Sequence, residues 1–226
     1  MAFPSVAEFP RAQKGLSHNV VDLLRDMISR GELQQGEHLK EGEISAALGV
    51  SRGPVREAFA QLENEGYVEI RPRRGAYVVT LTRQDIIEVY TLRLALERLA
   101  TERATSRMTP ARLERMDALL EQFRVGDDYS VREAVRLDLV FHDMLYEAAE
   151  HGRLKRSWDA IRSQVEFFLN ARNLARHDFH TVGYTEHREI RDALASGDTS
   201  RAVEVIENHL VLAYSMLLAD RAGESD

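Results

Sequence analysis

The sequence predicts a mostly α-helical chain: an N-terminal winged helix-turn-helix of three helices plus a β-hairpin, then a C-terminal all-α bundle of six or seven helices. Three observations carry this. Apolar residues recur at helical spacing through most of the chain. Two short β-rich runs flank one Pro/Gly turn, between Tyr67 and Val79. After Leu81 every segment of useful length keeps a helical period, with no strand candidate.

A chain of 226 residues has room for two cores. At 44% hydrophobic and 30% charged it has the composition of a globular protein rather than a disordered one. With no cysteine, disulfides and thiolate metal sites are excluded. The most apolar stretch, Val211 to Ala219, is too short to span a bilayer. The first residues lack a basic region followed by an apolar core, so a cytoplasmic protein with no membrane partner is expected. The net charge of −7 divides unevenly, with 10 Lys+Arg against 11 Asp+Glu in residues 1–80 and 20 against 26 thereafter. Any basic surface on the first domain must therefore be local.

Residues 1–16 read as a flexible arm and 17–80 as the first domain. Val20, Val21, Leu23, Leu24, Met27 and Ile28 repeat helically, and Gly31 stops them. A short helical segment from Glu43 to Leu48 ends at Gly49. The next carries Val55, Ala58, Phe59 and Leu62 on one face and ends at Gly66. Residues 67–70 and 76–79 then alternate as strands around Arg71-Pro72-Arg73-Arg74-Gly75. The second domain, 83–221, has helical segments at 84–107, 110–124, 130–149, 153–175, 183–195 and 199–219. Breaks are expected at Pro110, Gly126, Gly152, Gly183 and Gly197.

Gly49 permits a tight turn, Ser51 is placed to cap the next helix, and Pro54 sits in its first turn. Arg52 and Arg56, four apart, then share the face opposite the apolar one, where a major groove would meet them. Arg73, Arg74 and Gly75 lie at the hairpin tip, suited to a minor groove. A solvated surface helix and turn would explain either element alone. The stretch from Asp26 to Thr80, centred on LGVSRGPVREAFAQLENEGYVEIRPRRGAYV, resembles the GntR family of bacterial regulators. The resemblance implies a homodimer on a pseudo-palindromic double-stranded operator, with Ser51, Arg52, Arg56, Arg73, Arg74 and Gly75 at the DNA. Gln35 and Gly53 depart from the residues usual in the family, proline and threonine.

In the helical domain, Asp138 and His142 are four apart on one helix, and His187 and His209 lie on two others. One carboxylate and three imidazoles could converge on a divalent ion, although scattered histidines are more often ordinary core or surface residues. Residues 85–220 resemble the FCD ligand-binding domain of the FadR subgroup, through Tyr90-Thr91-Leu92-Arg93…Leu96-Glu97, Asp138…Phe141-His142, Glu186-His187…Ile190, Gly197-Asp198 and His209. That resemblance implies that Asp138, His142, His187 and His209 bind a divalent metal, zinc first, with nickel or manganese as alternatives. A small carboxylate effector would complete the metal's coordination, with Arg93 as its cationic partner; an intrahelical pair with Glu97 is the competing role of Arg93. The implied function is a transcription regulator, a repressor in the first instance. A purely structural metal without an effector is one alternative. A metal-dependent hydrolase is another, although no motif places a general base beside paired ligands.

Overall fold

The computed structural model describes residues 15–125, 130–174 and 179–222. Most of the expected arm lies outside them, as do Gly126 and the side chain of Arg172. The chain divides into two compact units between Leu81 and Thr82.

In the first unit, α1 (Leu16–Ser29) packs on α3 (Arg52–Asn64), with α2 (Glu41–Leu48) between them in sequence. Val20, Val21, Leu24, Ile44, Leu48, Val55 and Leu62 are buried to 1% exposure or less, so all three helices share one core. Each such side chain contributes about 1.5–3 kcal/mol. Arg25 on α1 pairs with Glu65 at the end of α3, Nη2 to Oε2 at 2.7 Å. Gly49 closes α2 in the left-handed region, φ 63°, which lets the chain turn directly into α3. The hairpin is β2 (Val68–Arg71) and β3 (Gly75–Val78).

A third strand, β1 (His38–Leu39), pairs antiparallel with β3, giving the sheet order β1-β3-β2. The expectation of a hairpin alone missed it, because two residues are too short to show alternation.

The second unit holds six helices among the described residues: α4 (Arg83–Thr105), α5 (Pro110–Val125), α6 (Val131–Ala148), α7 (Gly152–Leu174), α8 (Phe179–Ser196) and α9 (Thr199–Ala222). Thr82 and Asp85 form a capping box at the start of α4. Gly152 opens α7 rather than only interrupting the chain, and Gly183 lies inside α8 where a break was expected. A Cβ at Gly183 would sit 3.3 Å from the Phe123 ring, so the small residue serves a close approach rather than a turn. No helix among the described residues is long and apolar enough to cross a membrane.

The helix α6 is buried on two sides. Leu137, Phe141 and Leu145 join Met116, Phe123, Ile190 and Ile206 in one apolar cluster. Val135, Leu139 and Tyr146 join Trp158, Val165 and Leu169 in another. Asp138 and His142 belong to the same helix and are held between these clusters.

Candidate metal centre and nucleic-acid interface

One turn of α6 separates Asp138 from His142, so both project to one side. His187 from α8 and His209 from α9 meet them there, and one ligand-capable atom from each of the four lies within 4.8 Å of all the others. Nε2 of His187 is 3.4 Å from Asp138 Oδ1, and Nε2 of His142 is 3.9 Å from Oδ2. Exposure is 8% at Asp138, 0% at His142, 1% at His187 and 9% at His209, so water does not compete freely for these atoms.

The partner of each Nδ1 decides what each ring offers. His142 Nδ1 donates to Glu97 Oε2 at 2.6 Å, and His209 Nδ1 to Glu186 Oε2 at 2.9 Å. His187 Nδ1 donates to the Gly183 carbonyl, four residues back on α8, at 2.7 Å. With Nδ1 engaged as the donor in all three, Nε2 is the nitrogen each ring keeps for a metal. Nε2 of His142 and of His187, and Oδ2 of Asp138, are buried with no hydrogen-bond partner. Buried acceptors left over in this way are expensive unless something electropositive sits among them. The set therefore fits a borderline divalent cation held by three nitrogens and one oxygen.

The charges agree. Burial opposes the Asp138 charge, yet His187, His142 and Arg93 outweigh it and hold its carboxyl well below the usual range. Glu97 is likewise brought down to about 2 by His142 and Arg93 against its burial. Burial, helped by the neighbouring His187 and His142 and opposed by Glu186, lowers His209 to about 4 and keeps it neutral.

Of its two expected roles, Arg93 takes the intrahelical pair with Glu97. Its Nε pairs with Glu97 Oε1 at 2.7 Å, and both residues are fully enclosed. Its Nη2 lies 3.9 Å from Asp138 Oδ2 and has no hydrogen bond. The guanidinium stands 5.7 Å from the centre of the Trp158 ring. Sequence reasoning treated Glu97 only as a partner of Arg93 and missed its bond to His142; it did not assign Glu186 or the Gly183 carbonyl to orient histidines. The four-residue spacing from Gly183 to His187 is the one signal that was available.

In the first unit, the side chains of Arg52 and Arg56 are 71% and 69% exposed at the opening of α3, with Glu41 of α2 within 3.9 Å and 3.8 Å of their Nε atoms. Ser51 has the extended backbone of a cap, φ −70° and ψ 166°, but its side chain makes no capping hydrogen bond, contrary to expectation. Its hydroxyl thus stays available at the helix N-terminus. Arg73, Arg74 and Gly75 are exposed at the hairpin tip. Arg73 has φ 62° and Gly75 φ 96°.

Two families match the chain. The family described as bacterial regulatory proteins, gntR family, matches residues 16–78, and the FCD domain matches residues 88–212. This chain belongs to the GntR family. This GntR regulator is 32% identical over 212 residues to a protein of Paenarthrobacter nicotinovorans named "Probable D-xylose utilization operon transcriptional repressor", covering 93% of this chain and 92% of that one. It is 30% identical over 201 residues to the HTH-type transcriptional repressor RspR of Escherichia coli (strain K12), covering 86% of each. The crystal structure of a GntR transcriptional regulator from Rhodococcus sp. RHA1 superimposes with a TM-score of 0.74 at 28% identity, covering 90% of this chain and 97% of that one. The GntR chain is accordingly a DNA-binding transcription regulator with an FCD domain, and not an enzyme.

Proposed function

We propose that this regulator is a repressor whose operator affinity is set by a small carboxylate bound beside a divalent metal ion. The single observation that carries the reading is the convergence of Asp138, His142, His187 and His209 with unpartnered, buried acceptor atoms. Zinc heads the candidates, with nickel and manganese compatible with the same donors. A carboxylate would need an open position on the ion beside the four protein ligands, and the free Nη2 of Arg93 would supply it a charge-assisted hydrogen bond. The metal would polarise and hold the effector; the protein's own residues set which anion enters.

Residues 17–80 act as the DNA-binding head and 83–221 as the sensor. Ser51, Arg52 and Arg56 engage the major groove, and Arg73, Arg74 and Gly75 the minor groove. A homodimer reads a pseudo-palindromic operator in the cytoplasm, and the effector favours one of two arrangements of the heads. The names of the relatives support repression.

Metal content by mass spectrometry on wild type and His187→Ala tests the first half. About one divalent ion per chain, lost in the variant, is expected. Operator affinity with and without small carboxylates tests the second. The near-complete burial of the four ligands favours a competing reading, a structural metal. In that case chelation lowers the melting temperature, and no carboxylate changes operator affinity.

A further inference from the structure

The strand β1 places one side chain on each face of the sheet: Leu39 enters the core at 2% exposure, and His38 stays on the outer face. His38 pairs across the sheet with Tyr77, and the two rings stack with centroids 4.6 Å apart at 18°. The guanidinium of Arg71 lies 4.4 Å from the centre of the Tyr77 ring, and the Tyr77 hydroxyl donates to the Arg74 carbonyl at 3.2 Å. His38 also reaches the hairpin tip itself: a Cβ at Gly75 would lie 2.7 Å from His38 Nε2, closer than side chains tolerate. Gly75 and Tyr77 are two apart on β3 and so share a face, and the imidazole covers both.

The tip needs such support. Arg74 N–H donates to the Arg71 carbonyl at 2.9 Å, closing a turn through Pro72 and Arg73. Arg73 occupies the left-handed region, φ 62°, which a residue with a Cβ adopts only when its surroundings impose it. An isolated two-stranded hairpin is marginally stable and would sample several tip positions. Ordering the tip before DNA arrives removes that cost from binding.

We infer that His38 is a positioning residue for the wing: it stacks on Tyr77 and abuts Gly75, so that the Arg73–Arg74 tip is set before it meets DNA, while His38 itself makes no phosphate contact. The inference rests on the reading that this tip contacts DNA.

The test uses the full-length protein, a duplex selected from random DNA by the wild type, and fluorescence anisotropy across a salt series. His38→Ala should weaken binding about five-fold per bound chain, the loss of one cross-strand aromatic pair, with the slope of log affinity against log salt unchanged. His38→Phe, which keeps a stackable ring, should recover most of the affinity. The double variant Arg73→Ala/Arg74→Ala should lower the slope by about 2 per chain, because two cationic contacts with the duplex vanish. If the arginine variant loses slope but His38→Ala binds like wild type, or if His38→Phe binds as poorly as His38→Ala, the role of His38 is refuted and the wing reading stands. A drop of about one in the slope for His38→Ala would make it a direct phosphate contact, which also overturns the inference. An unchanged slope in the arginine variant removes the wing reading itself.

Discussion

Glu97 and His142 are joined by a hydrogen bond of 2.6 Å, buried to 0% exposure at both ends, and that bond determines which nitrogen of His142 faces the centre. Glu97 spends its other oxygen on Arg93 at 2.7 Å. One carboxylate thus orients an imidazole of the candidate metal centre and neutralises Arg93.

Glu97→Gln tests this double duty. Orienting carboxylates of metal-bound histidines are worth roughly 10- to 100-fold in metal affinity, and a loss of that size is expected by calorimetric titration with zinc. Because Arg93 would keep only the more distant Asp138 as a counter-charge, the variant should also lose about 3 kcal/mol of stability in urea unfolding. Unchanged zinc affinity would show that Glu97 serves Arg93 alone.

Acid should destabilise the metal-stripped protein early. His209 is neutral down to about 4 when folded, against about 6.5 in an unfolded chain. As pH falls from 6.5 towards 4 the unfolded state takes up this proton first, so stability present above 6.5 is lost across that window, by up to about 3 kcal/mol. Glu97, lowered to about 2 from its usual 4.5, extends the loss in the same direction below pH 4.5. Urea midpoints after chelation, measured at pH 7.5, 6 and 5, should fall in that order. A flat series would mean that His209 is not held neutral.

Gly183→Ala should be harmful despite lying in a helix. Ala favours a helix interior by about 1 kcal/mol over Gly. Here the new methyl group meets the Phe123 ring at 3.3 Å, and Phe123 is buried in a stack on His187 with centroids 5.1 Å apart, so it gives way only against that imidazole. Overpacking costs about 1–3 kcal/mol, for a net loss of about 1 kcal/mol. Zinc affinity should drop with it, since the ring pushed aside is the one against His187. A more stable variant with full zinc affinity would refute the packing argument.

Trp158, the one tryptophan of the chain, offers an optical report on Arg93. Its indole is fully buried, stacks on Tyr146 at 4.9 Å and donates to Asp143 Oδ1 at 2.6 Å. An anion drawing Arg93 away from this ring should change the emission, and Arg93→Lys should blunt the response, because a lysine lacks the planar fork. A carboxylate that alters operator affinity with no change in emission would place the effector elsewhere.

By itself the sequence determined the helix order, the hairpin and the pairing of Asp138 with His142, because these rest on local periodicity: 3.6 residues per turn puts positions four apart on one face, whatever the rest of the chain does. Gly49 and Pro110 were legible for the same reason, each acting through its own backbone. Other features depended on neighbours distant in the chain. Gly183 looked like a break until Phe123, 60 positions earlier, was seen against it. The strand β1 exists because β3 offers it hydrogen bonds, and two residues carry no period of their own. The tautomers of His142 and His209 were decided by Glu97 and Glu186, which only helix packing brings within reach. Local rules write themselves along the chain, whereas burial and the partners of polar atoms are properties of the packed whole.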